Sequence, residues 1–150
     1  MKRFLLVIFL FLFAAPTFAA QSGLNPAGAA FVKAVNAADV EGIVALYRDD
    51  ATSYPPDAMM DKGKDAIRKS WTNLFAQYTA KLELKDGYYE DHGNVSIAWG
   101  SFTMTLTPKA GGEPMTIDGR YTDASIKEKG KWLYIVDHAS VPMPPPPTAK

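Results

Sequence analysis

Residues 63–89 read GKDAIRKSWTNLFAQYTAKLELKDGYY, and the hydrophobic period changes within them. Ile67, Trp71, Leu74, Phe75 and Tyr78 recur at the spacing of one helical stripe, with Asp65, Arg68, Lys69 and Asn73 off it. From Lys81 the period becomes two: Leu82 and Leu84 alternate with Glu83 and Lys85, and the pattern runs on through Tyr88 and Tyr89. A long one-faced helix therefore feeds directly into a long strand.

Upstream of this pivot the signals are helical. Asn25-Pro26 is an N-cap followed by proline at the first helical position, and Phe31, Val32 and Val35 give that helix an apolar face. Asp39 caps a second helix, in which Val40, Ile43, Val44 and Tyr47 hold helical spacing. Ala51 to Tyr54 is a short strand stopped by Pro55-Pro56-Asp57, and Met59 and Met60 fall in the loop that follows.

Downstream the signals are strands joined by hairpins. His92-Gly93-Asn94 is a turn, Pro108 to Pro114 with Gly111-Gly112 is a hairpin loop, and Lys129-Gly130 is another. Val95, Ile97 and Trp99 have odd parity, but Phe102, Met104 and Leu106 have even parity, which predicts a bulge or bend near Gly100. Met115, Ile117 and Tyr121 against Ala124 and Ile126 predict a second slip near Thr122-Asp123. Trp132 to Val136 is apolar on both faces, as a central strand is. Helices first and antiparallel strands after give an α+β fold, with the N-terminal helices packed on a strongly curved antiparallel sheet that encloses a pocket.

The ends read differently. Lys2-Arg3, twelve apolar residues from Phe4 to Ala15, and a small-residue exit at Thr17 and Ala19 predict a signal peptide over residues 1–19. The run is shorter than a membrane span requires. The domain is then 20–141, and 142–150 is a proline-rich tail. The expected location is exported, periplasmic or secreted, with no membrane attachment after cleavage.

Composition narrows the function classes. The 150 residues contain no cysteine, which excludes disulfides, thiolate metal sites and a cysteine nucleophile. Sixteen basic residues balance sixteen acidic ones, and residues 20–150 carry fourteen and sixteen, with none of the basic excess that nucleic-acid binding needs. Neither a metal site nor a cofactor is expected: no metal-ligand spacing, phosphate loop or nucleophile elbow is present. Without the leader, the aromatic set is three Phe, three Trp and seven Tyr, a composition suited to a cavity wall.

Several stretches together carry a family resemblance: Ala37-Ala38-Asp39-Val40 with Ile43 to Tyr47 and Asp49-Asp50-Ala51; Gly63 to Ile67 leading to Trp71; Gly119-Arg120-Tyr121-Thr122; and Gly130-Lys131-Trp132 through Val136 to Ser140. With this layout the chain resembles the nuclear transport factor two-like superfamily over about residues 26–141. That cone-shaped α+β fold is shared with ketosteroid isomerase, SnoaL-like polyketide cyclases and the calmodulin-kinase association domain. In ketosteroid isomerases a carboxylate base follows the first strand, and a tyrosine and a protonated aspartic acid hold the oxyanion. Here Pro55 stands where the base would be and Asp57 lies two residues further on, while Asp123 falls where the resemblance puts the acid. The isomerase set is at best half present, so that activity is not carried over.

The polar candidates are Asp123 and His138. Asp123 is either an inner-face acid or base, or a carboxylate turned to solvent or to Arg120. His138 shares parity with Trp132, Tyr134 and Val136; it is either a proton shuttle or a structural histidine bonded to Asp137 or Ser140. Tyr47, Tyr54, Met60, Trp71, Phe75, Trp99 and Tyr121 are the expected ligand-binding set, with Met59 and Met60 as an adaptable lid. The resulting expectation is a SnoaL-like, ketosteroid isomerase-like exported protein that binds a small apolar or carbonyl-bearing molecule. Asp123 and His138 would supply acid–base activity of isomerase, cyclase or dehydratase type; whether the protein is an enzyme stays open. The alternative is a non-catalytic homodimeric binding or oligomerisation module, paired through the outer sheet face near Thr103, Thr105 and Thr107.

Overall fold

A computed structural model describes residues 19–143. The leader read over 1–19 lies outside the described residues except for Ala19, and the proline-rich tail does so beyond Met143. The elements are β1 (Gln21–Ser22), α1 (Pro26–Asn36), α2 (Val40–Val44), β2 (Tyr47–Tyr54), β3 (Asp61–Lys62), α3 (Gly63–Gln77), β4 (Tyr78–His92), β5 (Val95–Pro108), β6 (Met115–Glu128) and β7 (Lys131–Ser140). The strands form one sheet in the order β1-β4-β5-β6-β7-β2-β3. It is curved and unclosed, and all its ladders are antiparallel except β2 on β7, which is parallel.

The helices start where the caps place them. Asn25 Oδ1 accepts from Gly28 N at 2.8 Å, and Pro26 occupies the first turn, where no intrahelical N–H bond is lost. Asn25 also donates to Ser96 Oγ, which ties the start of α1 to β5. Asp39 caps α2 through Gly42 N. At the other end of α1, Asn36 bonds both the N–H and the carbonyl of Leu82, joining that helix to β4. α3 buries Ile67 and Phe75 and packs Trp71 and Leu74 against the core. Phe31 of α1 meets Trp71, Tyr134 and Tyr47 edge-on at 5.6, 5.9 and 6.5 Å, so one aromatic knot joins both helices to the sheet.

Three expectations about phase are corrected. α2 ends at Val44, and Tyr47 opens a longer β2 instead of closing the helix. The β5–β6 register is unbroken from Val95↔Ile126 to Leu106↔Met115, so neither Gly100 nor Thr122-Asp123 carries a slip. The bulges lie on their partner strands. β4 shifts register between Lys85 and Tyr88, directly opposite Gly100, with Asp86 at φ 48°. On the β6–β7 ladder Tyr134 faces Ser125 and Val136 faces Ala124, leaving Ile135 as the extra residue. The even residues of β5 and the odd residues of β6 face inward throughout. Val95, Ile97 and Trp99 misled the reading because this part of the outer face is itself apolar.

Candidate functional site

The curved sheet and α3 enclose a cavity of about 690 Å³. That volume lies within the range of small-molecule sites. Phe31, Trp71 and Leu74 wall it from the helices, and Phe102, Tyr121 and Tyr134 wall it from the sheet. Pro55, Asp57 and Val141, in the loop after β2 and the segment after β7, complete the lining.

One polar row crosses this apolar surface. Asp123 of β6 pairs with Asp137 of β7, Asp137 pairs with Ser53 of β2, and Ser53 pairs with Asp61 of β3. All four side chains line the cavity. Directly paired residues on neighbouring strands share a face, so the ladder itself aligns the row. Asp137 reaches the inner face because the extra residue Ile135 reverses the parity of β7 after Tyr134.

The charge distribution along the row follows from its partners. Asp137 Oδ2 accepts hydrogen bonds from Tyr47 at 2.5 Å and from Ser53 at 3.1 Å. Asp123 is 7% exposed, and its Oδ1 is enclosed with no hydrogen-bond donor among the described residues. Burial, and then the neighbouring Asp137 charge, hold the Asp123 carboxyl well above the usual carboxylate range. Two adjacent carboxyls in an apolar site keep one proton between them. The two donors on Asp137 mark it as the accepting member, so the proton resides on Asp123. Burial pushes the Tyr121 hydroxyl up to about 12, and burial with the Asp137 charge raises Tyr47 well above its ordinary value. Both phenols therefore remain donors at neutral pH. The floor offers a neutral carboxylic acid beside a fixed anion, a pairing suited to giving or taking a proton.

The expected site residues separate clearly. Asp123, Tyr54, Trp71 and Tyr121 line the cavity. Phe75 lies behind the wall, tilted against Trp71 at 5.5 Å, and Tyr47 is fully buried beneath Asp137. Met60 is 54% exposed and does not line the cavity. Trp99 is turned to the outer face, where it stacks on Tyr88 at 6.2 Å. His138 is also exposed on the outer face, its ring edge-on to Tyr54 at 6.0 Å, because the Ile135 bulge gives its expected inward position to Asp137. Asp137, Ser53 and Asp61 escaped the sequence reading. The one signal for Asp137 was a second acid adjacent to His138, masked by a run apolar on both faces. Among the described residues no group of three His, Cys, Asp or Glu side chains is arranged to hold a metal ion.

Comparison with known proteins gives a consistent picture. A family model described as the SnoaL-like domain matches residues 29–135. Among solved structures, a ketosteroid isomerase-like protein from Erwinia carotovora atroseptica superposes with a TM-score of 0.68 at 22% identity, covering 79% of this chain and 92% of that one. A nuclear transport factor two-like superfamily protein from Salmonella enterica gives 0.71 at 15% identity, covering 83% and 92%. A protein from Streptomyces avermitilis, proposed to be a dehydratase of the same family, gives 0.72 at 15% identity, covering 79% and 93%. No curated protein matches the sequence.

Proposed function

We propose that this chain, which belongs to the SnoaL-like domain family of the nuclear transport factor two-like superfamily, is an exported pocket protein that binds a small apolar molecule and carries out proton transfer on it. The observation that carries this reading is the proton-sharing pair Asp123–Asp137 on the wall of an otherwise apolar cavity of about 690 Å³. A carbonyl oxygen of the ligand accepts from the neutral Asp123 carboxyl. As charge develops on that oxygen, the enclosed donor stabilises it more than water would. Asp137, held by Tyr47 and Ser53, is the group next to it that takes up or returns the proton. Export rests on the leader pattern over residues 1–19.

The test is a thermal-shift screen of neutral apolar carbonyl compounds against the purified protein, since a ligand that binds only the folded state raises its melting temperature. Compounds that shift the parent are expected to lose about tenfold or more in affinity on Asp123→Ala and nothing on His138→Ala. Equal loss from both substitutions, or none from either, rejects the Asp123 assignment.

A second reading, pairing of two copies through the outer sheet face, is supported by one feature of that face. Tyr88, Ile97 and Val136 are exposed there beside Trp99. The threonine ladder occupies the polar end of the same face, where Thr103 is bonded to Lys85 and Asp118. The apolar centre of such an interface is therefore the Tyr88–Trp99 stack and not Thr103, Thr105 and Thr107.

A further inference from the structure

Five charged residues line the cavity, Asp57, Asp61, Asp118, Asp123 and Asp137, and all are acidic. Asp118 turns its carboxyl to Thr103 on the outer face, which leaves four acids on the wall. Among the described residues, Lys, Arg and His are absent from the lining. The two lysines that follow Asp61 in the chain are occupied elsewhere: Lys62 donates to the Asp50 carbonyl and Thr52 Oγ1, and Lys64 pairs with Asp49 at 2.8 Å. Inside, the wall gives no cation to an anionic ligand and no counter-charge to Asp137.

The alignment of these acids adds a direction. Asp123, Asp137, Ser53 and Asp61 follow one another on four adjacent strands, so the row runs about 15 Å across the wall at the usual strand spacing. At one end Asp123 is more than nine-tenths buried, with Oδ1 unmatched by any donor among the described residues. At the other end Asp61 is half-buried and takes part in no salt bridge or side-chain hydrogen bond among the described residues. Trp71 and Phe31 line the same space, and aromatic ring faces attract cations.

We propose that the ligand is a small apolar molecule carrying a basic amine, whose ammonium lies along the carboxylate row between Asp137 and Asp61. This rests on the pocket reading above and narrows its ligand class. The amine supplies the positive charge that the row lacks, the aromatic wall covers the apolar body, and Asp123 remains free for a carbonyl on the same molecule. Carboxylates and phosphates are excluded by the same wall, because a buried charge without a partner is strongly disfavoured.

The test uses three probes on one skeleton, naphthylmethylamine, acetonaphthone and naphthoate, titrated by calorimetry into the purified protein at neutral pH. The amine is expected to bind about tenfold tighter than the ketone, and the carboxylate weakest. Asp61→Asn is expected to remove most of the amine's advantage and leave the ketone unchanged. Ketone binding equal to or tighter than amine binding, or tightest binding by the carboxylate, overturns the amine assignment and leaves the pocket reading standing. Failure of all three probes to bind overturns both.

Discussion

At the residue scale, the central feature is a carboxyl kept neutral by its surroundings. In the unfolded chain Asp123 titrates at about 3.9, whereas in the fold burial and Asp137 keep its proton on to higher pH. Between those two values the native state binds more protons than the unfolded state, so this group lowers stability as pH rises through that window. An asparagine there has nearly the same shape and carries no charge. Asp123→Asn is expected to melt higher than the parent at pH about 7, with the gap closing near pH 3. A gap that stays constant across thermal melts at different pH would contradict the shared proton. Tyr47 acts on the same pair from below. It is fully buried and donates to a charged acceptor, so Tyr47→Phe should cost about 1.5–3 kcal/mol in denaturant unfolding. A cost near zero would mean that the Tyr47–Asp137 bond does not order the site. Asp123 itself was legible in the sequence, as an acid breaking an apolar alternation. Asp137 was not, since its inward direction depends on one unpaired residue, Ile135, in β7, the strand neighbouring that of Asp123.

At the element scale, the sheet curves at two bulges, and these decide which side chains see the cavity. The sequence pointed to a bulge or bend at Gly100, and the irregularity lies instead on the facing strand, where β4 shifts register between Lys85 and Tyr88. Hydrophobic parity in one strand reports its environment and not its partner's geometry, so a bulge on β4 leaves its trace opposite, as a glycine. A Cβ at Gly100 would stand 2.9 Å from both the Lys85 carbonyl and Tyr121 Cε1. Gly100→Ala is therefore expected to destabilise by about 1–3 kcal/mol and to displace Tyr121, which lines the cavity. Chemical denaturation measures the first effect, and ligand affinity the second. Helix α3 was readable in nearly its full extent because its stripe is unambiguous. α2 was overread, since Tyr47 continues the helical spacing by coincidence while its side chain is needed under Asp137.

At the scale of the whole molecule, the α+β architecture followed from the order of periods along the chain, and family membership agrees with it. What the order of periods does not reveal is the division of the sheet's outer face. Its apolar half, around Tyr88 and Trp99, is the surface offered to a second copy under the second reading. Sedimentation at micromolar concentration is expected to give a dimer for the parent and a monomer for Trp99→Glu, whereas a monomeric parent would remove that reading. No helix among the described residues is long and apolar enough to cross a membrane. The acidic row has no counterpart among sequence signals, because Asp61, Ser53, Asp137 and Asp123 come from four strands and meet only through register. The claim on which the functional account depends is that Asp123 carries a proton at the pH where the protein works. Carbon NMR of the aspartate side-chain carboxyls, assigned by the Asp123→Asn spectrum, reads this directly. The expected result is an Asp123 signal that keeps its protonated position above the ordinary carboxylate range. An Asp123 carboxyl that ionises within that ordinary range would contradict the account.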